Sequence, residues 1–202
     1  MAIKKKQEVA NKEQVTAELM AEMSFGQKIS IVKTIKNEII SYPAYRYRKL
    51  RDLLTFCEDP KDIDVVLKAV TALCDVFIDI IPSYKVREMG DKSENFSEEN
   101  KASTGSKKNM KISKDVEALQ AQEQFILKCY KDYLQILEVF SKLKVAKMSK
   151  ETSNKALSGS FYAKLRLKSV ECFSVLLERH PHFNYRLNIL QLICQKLSNQ
   201  DE

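Results

Sequence analysis

The stretch from residue 63 to residue 81 is the tightest constraint on how this chain folds. Ile63, Val66, Leu67, Val70, Leu73, Cys74, Phe77 and Ile81 recur at steps of three and four, which marks one broad apolar face of a helix. So wide a stripe predicts burial between several neighbouring helices rather than a place on a surface. Both ends carry signals. Asp59 can cap free backbone N–H groups and Pro60 presets φ for a first turn. Pro82 disfavours the helical conformation at Ile81 and stops the helix there.

The flanking sequence supplies the neighbours. Residues 24–41 place Phe25, Ile29, Val32, Ile35 and Ile39 on one face. Pro43 suits a first helical position, and Leu50, Leu53, Leu54 and Cys57 carry the face of the helix that follows it. From residue 113 to about 148, Val116, Leu119, Glu123, Ile126, Tyr130, Tyr133, Leu137, Phe140 and Lys144 keep the same steps. Two further helices are expected over residues 160–179 and 185–198, the second with Asn184 placed to cap it. Only four Gly and four Pro punctuate 202 residues, too few to reverse the many strands of a sheet protein. The expected fold is therefore all-α, an irregular armadillo/HEAT-like stack of amphipathic helices. Four parts are expected: a polar, partly disordered segment over residues 1–23, a first helical part over 24–87, a disordered linker or insertion over 88–112, and a second helical part over 113–198 packing with the first. The insertion is assigned from its Ser, Asn, Gly and charged composition, which leaves almost nothing to bury.

Catalytic chemistry finds little to stand on. His180 and His182 are the only histidines, and they straddle Pro181 in a turn with no carboxylate or cysteine cluster beside them in sequence. Cys57, Cys74, Cys129, Cys172 and Cys194 are far apart and show no metal-ligand spacing. Each falls among apolar residues and reads as a small buried hydrophobe of a reducing compartment. No phosphate loop, GxSxG or HExxH is present. The reading is a non-enzyme with no catalytic residue, cofactor or metal. Met1-Ala2-Ile3-Lys4-Lys5-Lys6 leads into polar sequence with no apolar signal region, and no apolar run approaches the ~20 residues that span a bilayer. A soluble intracellular chain that meets no membrane is expected.

Surface chemistry is more suggestive. Lys and Arg number 34 against 27 Asp and Glu, a formal charge of +7 that favours acidic partners. In residues 42–51, Arg46, Arg48, Lys49 and Arg51 alternate with Tyr42, Tyr45 and Tyr47 and no acid intervenes. Arg pairs phosphate bidentately and Tyr stacks on bases, so the composition suits RNA. The same cations also suit the solvated face of a helix whose leucines point inward. A second basic stretch, residues 141–168, carries Lys142, Lys144, Lys147, Lys150, Lys155, Lys164, Arg166 and Lys168 against the single acid Glu151. It reads as a phosphate-attracting, solubilising or nuclear-import segment.

Residues 76–87 read Val-Phe-Ile-Asp-Ile-Ile-Pro-Ser-Tyr-Lys-Val-Arg. This resembles a signature of the nucleolar complex-associated protein 3 family, although Ile78 stands where that pattern prefers Lys. Three other stretches fit the family in the same order: Lys49-Leu50-Arg51-Asp52-Leu53-Leu54, then Cys129-Tyr130-Lys131-Asp132-Tyr133-Leu134 within residues 125–137, then Pro181-His182-Phe183-Asn184. The resemblance covers about residues 24–198 without the polar insertion, and the larger C-terminal helical domain of the family has no counterpart in it. It implies a helical, non-catalytic factor of the nucleus and nucleolus in assembly of the large (60S) ribosomal subunit. The implied partners are a nucleolar complex protein 2-like protein and the pre-60S particle with its pre-rRNA. An adaptor on chromatin in DNA replication initiation and a direct RNA-binding module are the alternatives. The candidate partner or RNA surface comprises Arg46, Arg48, Lys49, Arg51, Tyr84, Lys85 and Arg87. A local reading of the last three competes with it: Tyr84 packs back on the end of its helix, and the two cations serve that helix's free carbonyls.

Overall fold

The computed structural model describes residues 23–58, 62–87, 114–143 and 153–198. These are helical with no strand among them: α1 (Phe25–Ser41), the short α2 (Pro43–Arg46), a 3₁₀ turn (Tyr47–Lys49), α3 (Leu50–Cys57), α4 (Ile63–Ile80), α5 (Lys114–Ser141), α6 (Ser153–Arg179) and α7 (Arg186–Ser198). The all-α expectation holds, and the packing is compatible with an armadillo/HEAT-like stack. Residues 1–22, the polar insertion and Asp59-Pro60 lie outside the described residues. So does everything expected of Lys144 through Met148.

α4 is the hub. It packs against α1 and α3 on one side and against α5 and α6 on the other. Of the predicted stripe, Ile63 and Leu67 are only half-buried, while Val65, Ala69, Ala72 and Val76 outside it are buried, so the helix is covered on more of its circumference than the periodicity required. Its end follows from the sequence as expected, since Ile81 is already extended (φ −70°, ψ 129°) ahead of Pro82.

Side-chain pairings fix the directions of the helices. Lys28 reaches Asp62 at the start of α4, and Lys36 reaches Asp75 further along it, so α1 and α4 run the same way. Tyr133 donates its hydroxyl to the Val70 carbonyl at 2.8 Å, while Phe77 meets Tyr130 with ring centroids 5.2 Å apart. The order is reversed, and α5 runs against α4. Cys74 donates to the Cys172 carbonyl at 4.0 Å and His180 Nε2 donates to the Ile78 carbonyl at 3.0 Å, so α6 again runs with α4. α7 turns back beside α5, with Lys196 on the Ser141 carbonyl at 2.6 Å. Buried residues of all the longer helices join one hydrophobic cluster.

Several expectations are corrected. Phe25 is exposed, and the buried position one turn along α1 is Lys28, only 2% exposed and paired to Asp62 at 2.7 Å. Four of the five cysteines are buried as expected, but Cys194 is exposed because it sits on the face of α7 turned away from α6. Asn184 does not cap α7. That position is held by Tyr185 (φ 66°), whose carbonyl accepts from Ile189 N, and the Asn184 amide is used elsewhere. Among the described residues no helix is long and apolar enough to cross a membrane.

Two stability effects are expected. Replacing Asp62→Ala removes the carboxylate facing a buried ammonium and costs about 2–3 kcal/mol, discounted from the fully buried case because Asp62 is one-third exposed. Lys28→Met, which removes the buried charge itself, costs about 1 kcal/mol or less; urea unfolding of both variants checks the asymmetry. Burial also pushes the Cys129 thiol up from 9.0 to about 12, and the Cys57 thiol and the Tyr130 and Tyr133 phenols likewise go up. Such groups stabilise the fold fully below their unfolded values and lose that contribution as pH climbs toward the folded ones. The urea midpoint should therefore hold steady to about pH 9 and fall between there and about 12.

Candidate interaction surface

The basic stretch after α1 folds as a bend rather than as one helix. Tyr42 leaves the helical region (φ −138°, ψ 63°), Pro43 opens α2 at its first position as expected, and Arg46 (φ −110°, ψ −3°) starts the 3₁₀ turn. The break lets Tyr47 turn inward, edge-on to Phe125 of α5 at 5.3 Å, while Leu50 enters the core.

The four cations then part company. Lys49 is tied to Glu38 at 2.6 Å, and that hydrogen bond holds the Glu38 carboxyl below its usual range. Arg46 approaches the same carboxylate only to 3.9 Å and is half exposed. Arg51 lies over the Phe125 ring at 5.6 Å. Arg48 is exposed, with its guanidinium 5.8 Å from the Tyr47 ring centre. Tyr42 and Tyr45 of the same stretch are 64% and 84% exposed, the most open Phe and Tyr side chains among the described residues.

The second candidate group lies across α5. Tyr84 lines a small cavity with Ile80 and Pro82 at the end of α4, and its hydroxyl donates to Glu123 of α5, which raises the phenol; Gln124 donates to the Arg87 carbonyl. Lys85 is exposed. Successive helical residues point about 100° apart, so Glu123 and Phe125 leave α5 toward opposite sides. Residues 84–87 are held on one side and the Tyr47–Arg51 bend on the other, with α5 as the wedge between them. Gln124, Lys128 and Lys131 follow at steps of four and three and form the ridge that joins the two groups, with Lys131 Nζ 6.0 Å from the Tyr185 ring centre. Those two lysines were not singled out in the sequence, and both are exposed on α5.

The underlying support is a side-chain clamp. Val86 N–H donates to Asn184 Oδ1 at 2.9 Å, and Asn184 Nδ2 donates back to the Val86 carbonyl at 2.8 Å. One amide thus satisfies both main-chain groups of a buried, extended residue, as a neighbouring strand would. Phe183 packs edge-on to Tyr130 at 5.3 Å beside it. Residues 76–87, 129–134 and 181–184, three separate stretches in sequence, therefore meet in one place.

Other candidate groups stay apart. Of the second basic stretch, Lys142 pairs with Glu138, Lys168 pairs with Glu171 at 2.7 Å, and Lys164 lies 5.3 Å from the Phe161 ring centre; Lys144, Lys147 and Lys150 fall outside the described residues, as do the surroundings of Lys155. His180 is engaged by the Ile78 carbonyl and His182 is exposed. Among the described residues no three His, Cys, Asp or Glu side chains gather as metal ligands. An open groove of about 600 Å³ lies between the start of α4, the second half of α5 and α6, lined by Val66, Ile136, Val139, Phe140 and Leu165 together with Glu58 and Asp132.

The profile of the NOC3p family, nucleolar complex-associated protein, matches residues 26–133, from α1 through the first two-thirds of α5. The chain belongs to this family. It is 32% identical over 189 residues to nucleolar complex-associated protein 3 of Arabidopsis thaliana, with 94% of the chain and 19% of the relative covered. It is 30% identical to the nucleolar complex protein 3 homolog of Xenopus laevis (92% and 22% covered) and 27% identical to that of Homo sapiens (85% and 20% covered). The chain thus spans about a fifth of the length of these relatives.

Truncating the clamp tests its weight. Asn184→Ala leaves the Val86 N–H and carbonyl buried without their partner and should cost about 2–4 kcal/mol, from two unmade buried hydrogen bonds. Equilibrium urea unfolding measures it, and a loss below about 1 kcal/mol would contradict the assignment.

Proposed function

We propose that the chain is a non-enzymatic nucleolar assembly factor in biogenesis of the large (60S) ribosomal subunit, acting as a helical protein-binding scaffold with a nucleolar complex protein 2-like partner. The observation that carries this reading is membership of the nucleolar complex-associated family, with the matched region forming the α1–α5 body. The packing suits the role. α4 is enclosed, so its neighbours are fixed in place and present their outer faces as a rigid support. The groove beside α5, lined mostly by apolar side chains with Glu58 and Asp132 among them, has the character of a site for a partner's helix.

A tagged chain should concentrate in the nucleolus and sediment with pre-60S particles. Its protein partner should remain after nuclease digestion in affinity purification with mass spectrometry. Val139 lines the groove yet is largely exposed, so Val139→Glu should leave the helical fold intact and reduce partner recovery several-fold. Cytosolic tagged protein that sediments free of particles contradicts the reading. Recovery with origin-bound chromatin that persists when rRNA synthesis is blocked would favour a replication adaptor instead.

A further inference from the structure

We infer that the bend between α1 and α3 is a binding site for single-stranded nucleic acid, with Tyr42 and Tyr45 as base-stacking rings and Arg46 and Arg48 as phosphate contacts. This inference rests on the surface alone and is independent of the assembly reading above.

Tyr45 and Arg48 stand three residues apart through the short α2 and the 3₁₀ turn that continues it, a spacing that places side chains on one side of the chain, and Tyr42 holds the position just ahead of α2. Both rings are mostly exposed, whereas Tyr47 between them and the core is the ring used for internal packing against Phe125. A ring left 84% open has its faces available for stacking. The cations have also been sorted by the fold. Lys49 takes Glu38 at short range, which leaves Arg46 as the looser partner of that carboxylate, and Arg48 lies against the Tyr47 ring and hydroxyl. From Ile39 to Arg51 the sequence contains no acid.

Tyrosine and arginine also mark protein hot spots, but those sit within a desolvated apolar patch. Here the sequence neighbours of the two rings are Ser41, Pro43, Ala44, Arg46 and Arg48, and the nearby Ile40 packs against the hydrophobic core. Exposed rings flanked by cations match the stacking platforms that track a single strand. A duplex keeps its bases stacked on one another and would meet only the charges.

The test uses the full 202-residue chain and fluorescence anisotropy with a labelled mixed-sequence 12-mer as RNA, as DNA of the same sequence, and as the RNA duplex. At least one single strand should bind about tenfold or more tighter than the duplex, and the RNA and DNA arms identify which backbone is preferred. Tyr42→Ala with Tyr45→Ala should weaken single-strand binding by about tenfold or more at unchanged salt slope, whereas Tyr→Phe at both positions should keep it. Arg46→Gln with Arg48→Gln should lower the slope of log affinity against log salt by about 1.4, or 0.7 per phosphate contact. Circular dichroism confirms that these surface variants are folded. Equal binding of duplex and single strand overturns the inference, as does an alanine pair with undiminished affinity. So does an alanine pair that binds single strands normally but loses a nuclease-resistant protein partner, which would make the bend a protein contact.

Discussion

Nearly everything in this fold answers to the need to keep α4 out of water. Its eighteen residues contain only three acids and one lysine, and most of the remainder are apolar. Each fully buried Val, Leu, Ile or Phe contributes about 1.5–3 kcal/mol, so exposing even one flank of α4 would remove several such contributions together. Helices on both sides are the consequence, and the polar groups of those helices are arranged around the same demand. Tyr133 brings its hydroxyl to a main-chain carbonyl of α4, His180 serves another near its end, and Lys28 meets Asp62 at its start. Among the described residues no buried side-chain polar atom lacks a partner. The core is apolar where helices face one another and hydrogen-bonded where a polar side chain is caught between them.

How much of this the sequence discloses depends on the range of the interaction involved. The helices were legible because their periodicity is local, and the stop at Pro82 was legible because proline acts on the residue before it. Partners distant in sequence were not. Asn184 looks like a helix cap when only the residues after it are considered, and its use on Val86 depends on two segments meeting across the fold. The hydrogen bond of Tyr84 to Glu123 of α5 likewise joins segments far apart in sequence. Cys194 is spaced like its four buried counterparts, and only the placement of α7 at one end of the packing exposes it.

The candidate surface shows the same division. A run of arginines and tyrosines was visible, but which of them the fold would consume was not. Glu38 takes up Lys49, Phe125 takes up Tyr47 and shelters Arg51, and what remains outward is a smaller set that includes Tyr42 and Tyr45. The lysine ridge of α5 then extends the positive character from that bend toward Lys85 and Arg87.

The Asn184–Val86 clamp has a consequence for how the two halves of the body stay joined. It joins residues 98 positions apart, and Gln124 fixes Arg87 immediately beside it, so the entry to the stretch between Arg87 and Lys114 is anchored from outside that stretch. Val86 and Arg87 are thus fastened to the second half of the body, so the two halves cannot part there without leaving both main-chain groups of Val86 unpaired.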